Sequence, residues 1–522
     1  MAPARVLRPL LLLILCSTLV LQSHGGGIII KGGTVVSADS SHLADVLIED
    51  GLVQAVGLSL KGDSSTRIID AKGKLVMPGG IDPHTHLDAP MMNSISSDDF
   101  FSGQGAALAG GTTMVIDFAL PVDGDIAKGF KRYQEVTKRS VMDYGLHMAV
   151  TTWNEKVSSD MQKLTKQGIN SFKFFLAYKG AMAVTDEQLL NGLRRAKELG
   201  ALPMIHCENA EALIDAQQRT FDAGFTGPEG HYISRPAVLE DEGTARALYL
   251  AQYVNTPIYI VHVMSKGAAS LIADAKLRGQ RVIGETIASG IAAVEGKIWD
   301  PDFKEAAKYV MSPPIRSPEH QEGLKAAVAG GVLDIVATDH CPWNSTQKRA
   351  GIHDFRAIPN GVNGIEERMH ITWDTLVKPG VITPSDFVRI TSTNVAKAFN
   401  LYPKKGVIAA GSDADIIIMD PTAKHTISAS THHSRIDTNI YEGREITGQV
   451  EMTISQGNVV WEKGELNVKE GAGRFIKLPT GGELFDGLAE QDAAAIAKAF
   501  PYGVPGQPVK RDLREAGSKD EL

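Results

Sequence analysis

Cysteine is scarce in this chain of 522 residues: there are three, at positions 16, 207 and 341. A small secreted protein would need more of them for a disulfide framework, whereas 43% apolar residues are enough for a large core without one. Cys207 and Cys341 each lie at the end of an apolar run. We therefore predict that both are buried free thiols.

Runs of basic residues, and runs in which basic and aromatic residues alternate, are also absent, and the formal net charge is −8. These features exclude a nucleic-acid partner. The apolar run at 10–21 is shorter than the roughly 20 residues that a membrane-spanning helix needs. The composition therefore predicts an ordinary globular protein with no membrane partner.

Both ends of the chain carry targeting patterns. Arg5 and Arg8 precede the apolar run and Ser-His-Gly follows it, which is the pattern of a signal peptide over 1–25. Residues 519–522 read Lys-Asp-Glu-Leu, an address for retention in the endoplasmic reticulum. We expect a protein of the secretory pathway that stays in the lumen of the endoplasmic reticulum. A sequon at Asn344 permits glycosylation without establishing it.

Short alternating strands separated by glycine turns occur at both ends of the region between these signals. They are predicted at 28–36, 45–56 and 67–70, and again at 414–420 and 450–461. Neither group is large enough to close a sandwich alone. We predict that the two groups pair into one small β-sandwich domain, built from 26–78 and 404–468.

Between the two groups, buried strands alternate with helices, a pattern that predicts a parallel sheet and an α/β fold. The eight predicted strands are the run 74–78 that leads towards position 84, then 113–118, 144–150, 171–175, 202–206, 257–263, 281–285 and 333–339. The intervening helices include 185–199, 241–253, 266–277 and 318–329. Eight such units predict a closed (β/α)8 TIM-like barrel over 79–403. The tail, 469–522, holds one further helix near 484–499.

The segment 79–88, GGIDPHTHLD, is the most informative stretch of the chain. In an extended segment, residues i and i+2 point to the same side, so His84 and His86 face one point. Neutral imidazole is the commonest protein ligand for zinc-like metals. An isolated pair of this kind would more often be two packed or surface histidines, so the rest of the chain has to decide between the two interpretations.

Four more ionisable residues follow the predicted strands at the end where a barrel of this class carries its chemistry. They are Lys173, His206, His262 and Asp339. Each has an ordinary alternative: a packed core histidine, a lysine that extends towards solvent, or an aspartate that caps a helix. Six such coincidences at one end of successive strands are less probable than one site. We predict two divalent ions, the first bound by His84, His86 and Asp339 and the second by His206 and His262.

A lysine among these ligands is informative because an ammonium would be repelled by metal cations. Burial near positive charge favours the neutral amine of Lys173. A neutral amine can add carbon dioxide, and the resulting carbamate has two oxygens that suit a bridge between ions about 3.5–4 Å apart. We therefore predict that Lys173 is N6-carboxylated and bridges the two ions.

At this level of detail the chain resembles the dihydropyrimidinase and hydantoinase family of cyclic amidohydrolases. The matching segments are GGIDPHTHLD, GGTTMVIDF, SFKFFLAYKG, HCEN, VHVMS, YVMSPPIR, DIVATDHCPW and IPNGVNGIEER. The resemblance implies two zinc ions per subunit and a homotetramer. It also implies that Tyr178 hydrogen-bonds the developing oxyanion, that backbone groups of Ser312 and Asn360 hold the substrate ring, and that Asp339 carries the proton.

The resemblance implies a small cyclic ureide or amide as substrate, with hydrolysis of 5,6-dihydrouracil or dihydrothymine to N-carbamoyl-β-amino acids in reductive pyrimidine catabolism. Hydantoinase and allantoinase activities are alternatives. Dihydroorotase is disfavoured, because that family usually has an arginine two residues after its histidine pair, where this chain has Asp88. An alternative from another class is a catalytically silent scaffold of the collapsin-response-mediator type, a group that has lost metal ligands. Here all six ligand positions and Tyr178 are kept.

Overall fold

The computed structural model describes residues 27–293 and 295–499. The predicted signal peptide at 1–25, Cys16 and the retention address at 519–522 lie outside this part of the chain. Within it, no helix combines the length and the apolar character that crossing a membrane requires. The described chain forms an eight-stranded parallel sheet and a separate, mostly antiparallel sheet of nine strands.

The nine-stranded sheet contains strands from both predicted β segments, which confirms that they pair. Its strands are Ile28–Val36, Ser41–Glu49, Leu52–Gly57, Arg67–Asp70, Leu75–Pro78, Ile416–Thr426, Glu445–Ser455, Asn458–Glu462 and Glu465–Leu466. The two segments meet where Ile416–Thr426 runs antiparallel to Leu75–Pro78. A cluster of buried side chains that includes Ile30, Val46 and Ile416 draws on both segments. Burial of this apolar surface therefore holds the two distant parts of the sequence together.

The parallel sheet is a nearly closed barrel and confirms the predicted α/β class. Its strands are Gly80–Thr85, Thr112–Ala119, Asp143–Ala149, Ser171–Phe175, Leu202–His206, Ile258–Ile260, Val282–Ile287 and Ile335–Ala337. The helices of ten or more residues are Phe100–Ala109, Ile126–Val136, Glu155–Gln167, Asp186–Leu199, Ala210–Asp222, Ala237–Val254, Lys266–Leu277, Pro318–Ala329 and Leu488–Ala499. Shorter helices are Pro228–Ile233, Ala288–Ala292, Phe303–Ala307, Ser345–Lys348, Arg368–Thr372, Pro384–Val388 and Asn394–Ala398.

The predicted first barrel strand was wrong. Leu75–Pro78 pairs with strands of the nine-stranded sheet, and the first barrel strand is Gly80–Thr85. Gly79 and Gly80 carry the chain directly from one sheet to the other. Neither has room for a side chain, because a Cβ on Gly79 would lie 2.2 Å from Thr113 Oγ1 and one on Gly80 would lie 2.3 Å from an Arg368 nitrogen. At the glycine pair the backbone therefore runs directly from the nine-stranded sheet into the barrel, close to neighbouring side chains, and does not form a turn.

Two predicted strands end earlier than expected. The sixth strand stops at Ile260, although Val261 and Val263 follow it, and the eighth stops at Ala337. The reason is the backbone, since His262 has φ 36° and Asp339 has φ 51°, outside the extended region. Both residues thus sit on bends at the carboxyl end of the barrel.

The first and eighth strands are joined mainly by side chains. The buried Arg368 guanidinium donates from Nη1 to the carbonyls of Ile81 and Val336, at 3.0 and 3.1 Å. Above it, the Thr338 hydroxyl donates to Asp82 Oδ2 at 2.6 Å. These bonds fix the seam directly beneath the strand ends that carry the predicted ligands.

A buried lysine stands at the opposite end of the barrel. Lys405 Nζ lies 2.8 Å from Asp143 Oδ2, 3.0 Å from Asp413 Oδ2 and 2.5 Å from Asp415 Oδ2. Asp143 begins the third barrel strand, and Asp415 directly precedes a strand of the nine-stranded sheet. The ammonium therefore occupies the centre of this acidic cluster and ties the two sheets together.

Candidate metal centre

All nine predicted site residues line one cavity of about 520 Å³ at the carboxyl end of the barrel. They are His84, His86, Lys173, Tyr178, His206, His262, Ser312, Asp339 and Asn360. Apolar residues, among them Met91, Leu120 and Met182, form much of the remaining wall. The sequence prediction that these positions share one place in the fold is thus met, and the geometry below bears on what each can do.

His84, His86 and Asp339 form a compact group of ligand atoms. One atom from each lies within 4.8 Å of the others. Asp339 Oδ1 is 3.2 Å from His84 Nε2 and 3.1 Å from His86 Nε2. His84 Nε2 and His86 Nδ1 are buried and lack a hydrogen bond of acceptable geometry within the described residues. Two imidazoles and a carboxylate with unused lone pairs fit a divalent cation.

Glu285 orients the first of these histidines. Its Oε1 lies 2.6 Å from His84 Nδ1 and accepts the backbone N–H of His262 at 2.8 Å, while its Oε2 accepts the Tyr259 hydroxyl at 2.6 Å. A carboxylate that accepts a hydrogen bond from Nδ1–H leaves the lone pair of Nε2 free to bind a metal, as in many metal sites. Burial opposes the charged form of His84, yet Glu285 and Asp339 raise its pKa to about 9. The same negative charges would favour a bound cation.

His206 and His262 form the second pair, with ring centroids 4.5 Å apart. The His262 ring also lies 5.3 Å from that of His84, so the two groups of ligands adjoin. His206 Nε2 lies 2.8 Å from Glu208 Oε2, and Arg235 holds Glu208 at 2.9 Å. Burial lowers the pKa of both histidines, the pKa of His262 strongly. Neutral imidazoles of this kind are the form that binds metal.

Lys173 projects into the same cavity from the fourth barrel strand. It is 1% exposed, and its Nζ lies 4.6 Å from the centre of the Phe118 ring and 5.4 Å from that of Phe175. No carboxylate lies within salt-bridge distance of Nζ in the described part of the chain. Burial lowers the pKa of Lys173 to about 8, although Asp339 and Glu285 partly oppose the shift. The structure thus offers an amine that loses its proton easily.

Tyr178 lies beside the second histidine pair, with its ring centroid 5.1 Å from that of His206. Burial raises the pKa of its phenol above the usual range, so the hydroxyl stays protonated and can donate at neutral pH. Tyr178 has φ 63°, and with His262 and Asp339 it is one of three predicted site residues held in the left-handed region. Such positions cost on the order of 1–3 kcal/mol each and concentrate at functional sites.

Two residues that position ligands were missed by the sequence reasoning: Glu285 and Glu208. A signal for Glu285 was present, because it is a charged residue inside an otherwise apolar strand that had been assigned no role. Glu208 follows His206 by two residues, so its side chain could have been placed near the site from spacing alone. Neither could be paired with its histidine before the strands were placed. Both predicted thiols, Cys207 and Cys341, are buried and free.

Comparison with known proteins agrees with this architecture. The sequence pattern of the amidohydrolase family matches residues 75–460. A dihydropyrimidinase of Arabidopsis thaliana is 54% identical over 490 residues, which are 94% of this chain and 91% of that protein. A dihydropyrimidinase of Rattus norvegicus is 48% identical over 505 residues, 94% of this chain and 97% of that protein.

A crystal structure of the dihydropyrimidinase from Brevibacillus agri superimposes with a TM-score of 0.86 at 41% identity, and covers 88% of this chain and 100% of that chain. The family match extends over most of the chain and includes the whole parallel sheet, part of the nine-stranded sheet and every predicted ligand. This chain therefore belongs to the amidohydrolase family, among the cyclic amidohydrolases of the dihydropyrimidinase type.

Proposed function

We propose that this chain hydrolyses the cyclic amide bond of 5,6-dihydrouracil and dihydrothymine, next to the imide nitrogen, and releases N-carbamoyl-β-amino acids in reductive pyrimidine catabolism. The observation that carries the proposal is the convergence of four histidines, a lysine, an aspartate and a tyrosine on one cavity. A scaffold without catalysis would have no use for four buried imidazoles, two of which, His84 and His86, have a ring nitrogen without a hydrogen bond in the described residues. Activity is therefore favoured over the silent alternative.

The ligand geometry supports two zinc ions as the cofactor. His84, His86 and Asp339 would hold one ion, and His206 and His262 the other, with carboxylated Lys173 between them. Bound zinc would polarise the ring carbonyl and supply a hydroxide nucleophile near neutral pH. Glu285 and Glu208 keep His84 and His206 in fixed orientations, so the donor atoms need little rearrangement.

The remaining steps belong to residues of the chain. Backbone groups of Ser312 and Asn360 hold the substrate ring against the cavity wall, and this places the carbonyl carbon for attack. The Tyr178 hydroxyl donates a hydrogen bond to the oxyanion as the tetrahedral centre forms. Asp339 accepts the proton of the attacking water and delivers it to the departing ring nitrogen, as general base and then general acid. The amide bond breaks and the ring opens.

The cavity wall also bears on the choice of substrate. It contains no arginine among the described residues, so a ring that carries a carboxylate, as in a dihydroorotase substrate, would lack a partner. Asp88 faces elsewhere, since its Oδ2 accepts the Phe100 N–H at 3.1 Å. Apolar residues such as Met91 and Met182 leave room for substituted rings. We therefore expect some hydrolysis of 5-substituted hydantoins as well.

A substrate panel tests the proposal. We expect the largest kcat/KM for dihydrouracil or dihydrothymine, a measurable rate with 5-substituted hydantoins, and little activity with allantoin or dihydroorotate. Release of the N-carbamoyl product can be followed by chromatography. Faster hydrolysis of allantoin than of dihydrouracil would reassign the substrate, and no hydrolysis of any cyclic amide by metal-loaded protein would favour the scaffold.

The role of Lys173 is tested by Lys173→Ala. We expect the variant to lose at least one metal ion per chain and all detectable turnover, because the bridge between the ions is removed. Metal analysis and intact-mass measurement under native conditions, which detects added carbon dioxide, give readouts that do not depend on activity. The control is Lys163→Ala, which removes an exposed lysine. Unchanged metal content in Lys173→Ala would contradict the bridging role.

Tyr178 is expected to act without holding metal. Tyr178→Phe should keep both ions and lower kcat by roughly 10²–10³-fold, the scale for loss of one oxyanion donor. A matched control is Tyr232→Phe, since the Tyr232 hydroxyl donates to Glu295 at 2.8 Å outside the cavity. Loss of metal in Tyr178→Phe would show that its assigned role is incorrect.

Placement in the lumen of the endoplasmic reticulum and assembly as a homotetramer are parts of the same proposal. The terminal patterns support the first and the family resemblance supports the second. In cells, the full chain should be protected from protease in intact microsomes, and removal of the last four residues should send it to the medium. Protease-sensitive, cytosolic protein would reject lumenal placement.

Assembly is tested separately by light scattering. The measured mass should be four times the chain mass, and a monomer would reject the tetramer.

A further inference from the structure

Lys348 is a buried lysine with no carboxylate partner. Its side chain is 3% exposed, and no acidic oxygen lies within 4.0 Å of Nζ in residues 27–293 and 295–499. Burial without a counter-charge lowers its pKa to about 7. A lysine buried in this way is costly unless its N–H groups are used. Its hydrogen bonds therefore indicate what it does.

Both hydrogen bonds of Lys348 end on backbone carbonyls beside the substrate cavity. Nζ donates to the carbonyls of Val310 and Gly361, each at 2.8 Å. Ser312 lies two residues after the first carbonyl, and Asn360 immediately precedes the second residue. The same two segments are joined by a bond from the Gly361 N–H to the Val310 carbonyl at 3.0 Å. The Lys348 ammonium thus joins two backbone segments, one that leads to Ser312 and one that follows Asn360.

Other contacts, besides the hydrogen bonds of Lys348, also restrain these two backbone segments. A Cβ on Gly361 would lie 2.2 Å from the Cys341 carbonyl oxygen, so the backbone passes closely there. Trp343 Nε1 donates to the Asn360 carbonyl at 2.8 Å. Lys348 itself is fixed because it ends the helix Ser345–Lys348, which begins at a capping box on Asn344. The helix Ser345–Lys348 therefore holds the Lys348 side chain against the Val310 and Gly361 carbonyls.

We propose that Lys348 is a positioning residue that sets the spacing between the ring-binding backbone groups of Ser312 and Asn360, and so determines how well the site selects cyclic ureides over simpler cyclic imides. The inference deepens the proposed function and depends on it. A ureide such as dihydrouracil has a second ring N–H and spans both segments. Glutarimide lacks that N–H and needs only one of them. A change in the spacing should therefore lower kcat/KM for the ureide more than for the imide.

The test compares dihydrouracil with glutarimide in the full, zinc-loaded enzyme. In Lys348→Met, which keeps an unbranched side chain but removes the donors, we expect the ratio of kcat/KM for the two substrates to fall about tenfold, the scale of one to two hydrogen bonds. The change should be mainly in KM for dihydrouracil, with unchanged metal content. Equal losses for both substrates would overturn the proposal.

Lys405→Met is the matched control, because it removes another buried lysine at the far end of the barrel. It should lower thermal stability and leave the substrate ratio unchanged, and an equal fall in its ratio would also overturn the proposal. If Lys348→Met does not fold, Lys348→Gln provides a second comparison, because its amide keeps N–H donors but ends one bond short of the position of Nζ, and the substrate ratio should again fall. A wild-type enzyme that hydrolyses neither substrate would reject the proposed function itself, whereas an active wild type with an unchanged ratio in the variants rejects only the role of Lys348.

Discussion

The balance of charge inside the cavity is the constraint on which the rest of the structure depends. Four imidazoles, one amine and the Asp339 carboxylate line the same cavity, with Glu285 and Glu208 placed behind the histidines. Burial lowers the pKa of His86, His206 and His262 and so favours their neutral imidazoles, and it lowers the pKa of Lys173 as well. Neutral donors with nearby negative charge form an environment in which divalent cations are more stable than protons. The site is therefore prepared for metal by its own electrostatics.

A site of this kind has to be rigid, and the fold supplies that rigidity in several places. Three of the predicted site residues, Tyr178, His262 and Asp339, have left-handed backbones. The cost is offset by fixed partners; the His262 N–H, for example, donates to Glu285. Beneath them, Arg368 and Thr338 join the first and eighth strands where ordinary pairing is sparse. Preorganised donors at fixed positions are what a hydrolytic site needs, because reorganisation during the reaction is avoided.

Much of the fold could be predicted from the sequence, because apolar residues recur with the period of a helix in some segments and with the period of a strand in others. Helices Lys266–Leu277 and Pro318–Ala329 have the predicted bounds, and the ligands follow strands whose apolar runs are plain. What could not be predicted depends on distant contacts. The run 75–78 is equally consistent with either sheet, and only its partner Ile416–Thr426 decides. Strand ends at His262 and Asp339 depend on φ angles that hydrophobicity does not encode.

The roles of Glu285, Glu208 and Lys348 were likewise out of reach, since each acts on a residue that only folding brings near. Lys348 shows this best: from the sequence it is one lysine in a polar stretch, yet it is almost fully buried against two carbonyls. By contrast, the six predicted ligands could be grouped from the sequence, because metal binding requires particular residue types at a common end of the barrel, and they do line one cavity. The residues that line the cavity were thus easier to predict than the residues that hold them in position.

The most direct test of the central claim is metal content measured together with dihydrouracil hydrolysis, on protein expressed from Gly26 onward. The account predicts about two zinc ions per chain, as a two-metal site requires. It also predicts that a chelator abolishes activity and that zinc with bicarbonate restores it. Folded protein that binds no metal and opens no ring would contradict the account.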